Sequence, residues 1–195
     1  MIPGGGDVGM DVDGLRSTIK EADSRQFVDA WLKWRGNRMV PTRDDMDLGD
    51  IKSNLGTLVL FDVVGPDDIM FRLCGSRLRM DDVIDVEPTG RNYKDLTSPE
   101  DWPARSHRFM TMSRHPCGGV MTLRLQGKHD GQVAHLECVN LPIATSADPS
   151  VPCQLICCNT PLEPKLGMAE PPRLRTFPAV SGFVFVDIGA GVAEH

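Results

Sequence analysis

The order of β-type and helical runs along the chain limits the possible folds more than any other feature. The apolar runs TLVLFDVV (57–64) and IMFRLCG (69–75) flank a Gly-Pro-Asp-Asp turn, which predicts a β-hairpin. Three more strands are predicted in an antiparallel meander, at 120–126, 132–143 and 153–160. Between the two groups, prolines break residues 76–116 into short helical pieces. The sequence therefore predicts an α+β fold with helices inserted between strands 2 and 3.

An amphipathic helix is predicted before the sheet. In SRQFVDAWLKWRGN (24–37), Phe27, Trp31 and Trp34 recur at helical spacing, and Gly36 supplies a stop. These rings give one short helix more aromatic surface than an isolated surface helix should expose to solvent. We therefore expect them to form the interface of a homodimer. Packing of the helix on the chain's own sheet is the alternative.

The two ends differ in composition from the central part of the chain, which we take as the main domain, 21–166. Residues 1–20 are rich in Gly and Asp without an apolar period, so we expect a flexible N-terminus. Residues 167–195 form a C-terminal extension that contains the run FVFVDIG (183–189). That run predicts a short strand, which should pair with a sheet edge in its own chain or in a partner's.

Charge and hydropathy exclude two classes of partner. The formal net charge of -6 argues against non-specific nucleic-acid binding, which needs an excess of Lys and Arg on one surface. No apolar run reaches transmembrane length, and the acidic start lacks the basic and apolar regions of a secretory signal. We therefore expect a cytoplasmic protein without a membrane partner.

The motifs of common enzyme classes are missing from the sequence. It contains no GxSxG elbow, Walker loop, HExxH helix or CxxC pair, so we expect no catalytic activity and no metal site. The six cysteines are expected to be free thiols. A thiol redox switch or thiol enzyme that uses Cys138 or Cys158 is left open, and it would require a lowered thiol pKa.

Three stretches resemble a bacterial family of small single-domain PAS proteins. They are WLKWRGNRMVPTRDDMDLGDI (31–51), LGTLVLFDVV (55–64) and FRLCGSRLRMDDVIDVEPTGRNYKDL (71–96). The resemblance covers residues 27–166. It implies a PAS-like five-stranded antiparallel sheet that curls over short helices. It also implies a non-catalytic sensory domain in signal transduction, which binds a small ligand, a signalling protein partner, or both.

Residue parity predicts a small apolar pocket between the sheet and the inserted helices. Residues two apart on a strand share a face, and short broken helices fill the space under a curled sheet imperfectly. The expected lining is Leu73, Leu78, Phe109, Leu136, Cys138 and Ile156. A core packed solid by the same residues is the alternative.

The wider PAS superfamily suggests one cofactor, haem. Its haem-binding members place the proximal ligand in the longest helix of the insert, which is predicted here at 102–114 and contains His107. A haem-based gas or redox sensor that uses His107 is therefore a further alternative. Flavin photoreceptor PAS domains carry a cysteine near the start of this region, whereas residues 95–114 contain none.

Overall fold

The computed structural model describes residues 10–80, 87–126, 133–145, 153–162, 177 and 180–192. Among these, the α-helices are α1 Val12–Thr18, α2 Ala22–Arg35, α3 Ser76–Met80 and α4 Trp102–Arg114. Short 3-10 helices cover Arg43–Asp45, Leu48–Thr57 and Tyr93–Leu96. The strands are β1 Met10–Asp11, β2 Leu58–Gly65, β3 Asp68–Cys74, β4 Gly118–Gln126, β5 Val133–Ala144, β6 Cys153–Pro161 and β7 Val180–Asp187.

The strands form one sheet, in the order β1-β7-β4-β5-β6-β2-β3 within the described part of the chain. The five expected strands, β2 to β6, are all antiparallel to their neighbours, with β6 returning to pair with β2. The helices α3 and α4 lie between β3 and β4, as predicted. The PAS-like α+β fold is therefore confirmed, and the sheet is extended by β7 and β1 beyond β4.

Each face of the sheet is covered by a separate apolar core. On β5, Leu136 and Cys138 face the core that contains α4, and we call this side the α4 face. The alternate residues Val139, Leu141 and Ile143 face the core that contains α1 and α2, on the α2 face. The middle strands are buried on both faces, so neither of their faces is exposed to solvent.

The three aromatic residues expected at a dimer interface are buried within the single chain. Phe27, Trp31 and Trp34 pack on the α2 face, and the Trp31 indole N–H donates to the carbonyl of Pro142 at 2.9 Å. The Trp34 indole N–H donates to a carboxylate oxygen of Asp50 at 3.0 Å. The interface assigned to these residues is therefore wrong, because their own sheet supplies the apolar surface that they cover.

Residues 10–20 are ordered, contrary to the expected flexible terminus. The Asp11 carboxylate accepts from the Gly14 N–H at 2.7 Å and caps α1, while Leu15 and Ile19 are buried on the α2 face. The backbone N–H of Lys20 then donates to the Glu137 carboxylate at 2.8 Å. Val12, Leu15 and Ile19 recur at helical spacing, a short pattern that the sequence reasoning missed. Residues 1–9 lie outside the described residues.

The C-terminal run forms β7 and pairs within its own chain. It lies antiparallel to β4, with Phe185 opposite Gly119 and Val186 opposite Gly118. Phe185 is buried on the α4 face and Val186 on the α2 face. β7 is thus a strand of the same sheet, and its partner is the edge that β4 would otherwise expose.

Gly75 ends β3 where the chain passes close to an earlier segment. A Cβ atom at this position would lie 2.4 Å from the carbonyl oxygen of Gly56 and 2.8 Å from that of Leu55. The Gly75 N–H donates to the carbonyl of Leu58 at 2.7 Å, which fixes this approach. The residue is therefore a glycine because two backbone segments touch there.

We expect Gly75→Ala to destabilise the domain by about 1–3 kcal/mol, since backbone must shift to admit the methyl group. Gly65→Ala is a matched control, because a Cβ there meets no atom within 4 Å. Urea denaturation of both variants measures the difference. A loss in Gly75→Ala no larger than in the control would contradict the close approach.

Candidate functional site

A small cavity lies on the α4 face, between the sheet, α4 and the 3-10 helix Tyr93–Leu96. Its volume is about 40 Å³, which is space for roughly three water molecules. It is lined by Val59, Phe61, Phe71, Leu78, Tyr93, Phe109, Met121, Leu123, Leu136, Asn140, Cys157, Asn159 and Phe177. The cavity thus lies between the sheet and the inserted helices, and it is smaller than most small-molecule sites.

Aromatic rings form most of one wall of the cavity. Phe61 and Phe109 meet edge to face with centroids 5.0 Å apart, and Tyr93 meets Phe71 edge to face at 5.4 Å. Phe177 stacks on Phe71 with centroids 5.8 Å apart and meets the Tyr93 ring edge to face at 5.1 Å. These are the arrangements that aromatic pairs favour, so the rings hold one another in place.

Helix α4 brings a buried cation to this cluster. Residues 102, 105, 109 and 112 recur at helical spacing and form the buried stripe of α4. Arg105 is only 2% exposed; its guanidinium donates to the Tyr93 hydroxyl oxygen, and its Nη2 donates to the Phe177 carbonyl at 3.4 Å. Burial raises the pKa of Tyr93, although the charge and hydrogen bond of Arg105 oppose the rise. Tyr93 is therefore a neutral phenol at physiological pH.

Three of the six residues predicted to line the pocket lie at the cavity: Leu78, Phe109 and Leu136. Cys138 is buried in the same core but lies outside the lining. Leu73 is 46% exposed, and Ile156 lies on the opposite, α2 face. The structure therefore corrects the placement of these last two residues.

The errors at Leu73 and Ile156 have separate physical causes. In the β2–β3 pair, Leu60 lies opposite Leu73, whereas the next residue, Phe61, lies opposite Phe71. β3 therefore has one extra residue at this point, a β-bulge, and the alternation of its side chains between the two faces is reversed after Phe71. On β6 both faces are apolar, so the sequence gives no alternation from which parity could be read. Leu155 and Cys157 face the α4 side there, one position away from Ile156.

Several residues at the cavity were missed by the sequence reasoning. Asn140 and Asn159 are buried lining residues whose amides donate to the carbonyls of Gly119 at 3.3 Å and Thr57 at 3.2 Å. Asn140 could have been found from parity, since it follows Leu136 and Cys138 on the same face of β5. Phe177 carries no such local signal, because it reaches the cavity from a distant part of the chain.

The arrangement does not fit a haem held by His107. His107 is exposed on α4, whereas Phe109, two residues later, faces the cavity. A helix turns by about 200° over two residues, so the imidazole lies on the far side of α4 from the cavity. The volume of about 40 Å³ also leaves no space for a porphyrin. The prediction of a haem site at His107 is therefore not supported by the geometry.

The buried thiols do not have the properties of a redox switch. The five described cysteines at 74, 117, 138, 157 and 158 are free and buried. Burial raises the pKa of both Cys138 and Cys158 above the ordinary thiol value, and it raises the pKa of Cys117 to about 12. Because the thiolate is the reactive form, these groups are poor nucleophiles at neutral pH.

Two further structural features limit what the described residues can bind. No group of three or more His, Cys, Asp or Glu side chains among them is arranged to hold a metal ion. None of the helices in the described part of the chain has both the length and the apolar character needed to cross a membrane.

We expect iodoacetamide to modify Cys138 and Cys158 in the folded protein at pH 8 at least about tenfold more slowly than in 8 M urea. The reason is that burial both blocks access and disfavours the thiolate. Peptide mass spectrometry of timed samples measures each site. Equal rates in the folded and unfolded protein would contradict the raised pKa values.

The chain is similar to one family of known domains. A family model described as a PAS domain matches residues 19–153. Among solved structures, the Rhodobacter sphaeroides LOV protein aligns over 75% of this chain and 72% of that chain, at 17% sequence identity and a TM-score of 0.40. The d2 variant of RsLOV aligns over 76% and 72%, at 14% identity and a TM-score of 0.39. No curated protein matches the sequence. Because the family model spans more than half of the chain, the protein belongs to the PAS domain family.

Proposed function

We propose that this PAS domain is a non-catalytic sensory module that binds a small molecule in the cavity on the α4 face and signals through a protein partner. The observation that supports this proposal most is the composition of the cavity. Its lining consists of apolar and aromatic side chains with the two carboxamides of Asn140 and Asn159. Such a combination of a mostly apolar wall with a few convergent polar groups is typical of ligand sites.

The chemistry of the lining favours binding over catalysis. The described lining residues include no Asp, Glu, His or Lys side chain that could act as a general acid or base. Its one thiol, Cys157, has a pKa that burial raises well above the ordinary value. The other ionisable lining group is the Tyr93 phenol, whose pKa burial also raises, so the lining supports binding rather than proton transfer or nucleophilic attack.

The same cavity lies beside elements that reach the surface. Phe177 lines the cavity and precedes β7 by three residues. β7 pairs with β4 on one side and with β1 on the other, so the cavity is connected to the edge of the sheet. A ligand that binds one arrangement of Phe177 better than another would shift the equilibrium between them, and a partner could detect the difference at this edge.

A pair of matched variants tests whether the cavity is a binding site. Leu136 and Leu141 lie on the same strand, both buried, but only Leu136 faces the cavity. We expect Leu136→Phe to cost less than about 1 kcal/mol, because the cavity can take the few atoms that phenylalanine adds to leucine, and Leu141→Phe to cost about 1–3 kcal/mol by overpacking. Thermal and urea denaturation measure both values.

Native mass spectrometry of the freshly purified full chain tests occupancy of the cavity. We expect the wild-type protein to retain a small molecule that is released on denaturation. The Leu136→Phe variant should lose that molecule, and Leu141→Phe should keep it. A wild-type protein that carries no molecule, combined with equal destabilisation by the two variants, would count against a ligand-binding function.

A further inference from the structure

The surroundings of Phe177 indicate which chemical class of ligand the cavity accepts. We infer that the site binds a small aromatic carboxylate, whose ring takes the place of the Phe177 ring and whose carboxylate is held by Arg105. In the absence of ligand, the Phe177 side chain then occupies the position of the ligand ring. This inference rests on the proposed function and specifies the ligand of the same site.

The position of the Phe177 ring defines a subsite for one six-membered ring. Its plane lies only 17° from that of Phe71, and the Tyr93 ring meets it at 78°. One neighbouring ring therefore stacks on Phe177, and the other meets it in an edge-to-face arrangement. A planar aromatic ring satisfies both contacts at once, whereas an aliphatic chain of similar volume satisfies neither.

The backbone of Phe177 defines the polar part of the site. Its N–H donates to the carbonyl of Leu96 at 2.7 Å, and its carbonyl accepts from Arg105 Nη2 at 3.4 Å. A distance of 3.4 Å to a neutral carbonyl is a weak hydrogen bond. A carboxylate in the same place would form shorter, charge-assisted bonds, which are about twice as strong as neutral ones. The buried guanidinium thus favours an anion over the neutral carbonyl.

Phe177 also differs from the other lining residues in its exposure. The other lining residues are all buried, and Phe177 alone among them is partly exposed. Beyond its ring contacts, it is joined to the body of the domain by an isolated β-bridge to Thr97 and by the two hydrogen bonds described above. The cavity of about 40 Å³ is too small for a ring, so a ligand must replace a lining side chain. We therefore infer that the partly exposed Phe177 is the side chain that is replaced.

The skeleton of Phe177 suggests a probe, 3-phenylpropionate. From ring to carbonyl, a phenylalanine residue has two intervening carbons, and 3-phenylpropionate has the same spacing between its ring and its carboxylate. Two probes separate the contributions of ring and charge. 3-Phenyl-1-propanol keeps the ring and lacks the charge, while butyrate keeps the charge and lacks the ring.

The experiment measures Kd of the three probes for the full-length wild type and for Phe177→Gly by isothermal titration calorimetry. We expect 3-phenylpropionate to bind Phe177→Gly at least about tenfold more tightly than wild type, because the competing ring is gone. Met110→Ala is the matched control, since Met110 packs on the same core outside the cavity lining, and it should bind like wild type. The alcohol and butyrate should each bind Phe177→Gly at least about tenfold more weakly than 3-phenylpropionate.

Arg105→Gln in the Phe177→Gly background tests the cation directly. If this double variant has the circular dichroism spectrum of the folded protein, it should lose the preference for the acid over the alcohol. If it does not fold, the comparison of acid and alcohol in Phe177→Gly alone decides the point. Equal affinity for acid and alcohol in that variant would overturn the role of Arg105. Equal affinity of the acid for wild type and Phe177→Gly would overturn the replacement of Phe177.

Failure of this inference differs from failure of the proposed function. If 3-phenylpropionate does not bind, but native mass spectrometry shows another retained molecule, then the ligand class is wrong and the sensing function stands. If the acid does not bind and no molecule is retained, both proposals are overturned.

Discussion

The need to bury both faces of one sheet determines most of this structure. Strands such as β5 place Leu136 and Cys138 on one side and Val139 and Leu141 on the other, so neither side can be left in water. The one acidic side chain buried on β5, Glu137, accepts hydrogen bonds from the backbone N–H groups of residues 20 and 21 where α2 begins. Its negative charge is also favoured by the positive end of the helix dipole.

The two faces are covered by different means, and the apolar cavity lies on the α4 face. On the α2 face, a regular helix of 14 residues presents Phe27, Trp31 and Trp34 as a continuous surface. On the α4 face, the cover combines α4 with the short helix α3 and the 3-10 helix Tyr93–Leu96, and part of the space between these separate pieces is taken by Phe177. A close-packed interior requires matched surfaces, and broken helices provide them less completely than one continuous helix.

The sequence was informative where local pattern decides structure and misleading where distant contacts do. The bounds predicted for α4 agree with the structure, because Asp101 and Pro103 mark its start and prolines isolate it. The side-chain direction of Leu73 depends on a β-bulge, which no local pattern announces. Trp31 has the same periodicity whether it packs on a partner or on its own sheet. Phe177 occupies the cavity only because of contacts with residues more than seventy positions earlier.

The proposed replacement of Phe177 by a ligand would also link binding to signalling. A ligand can bind two conformational states of a protein equally well. Such a ligand leaves the equilibrium between those states unchanged. A ligand that replaces Phe177 must change the surroundings of residue 177, and β7 begins only three residues later. The replacement lowers the apparent affinity, because the ligand competes with a residue already at high local concentration. In the proposed replacement, the weaker binding and the change next to β7 therefore have the same physical origin, the displacement of Phe177.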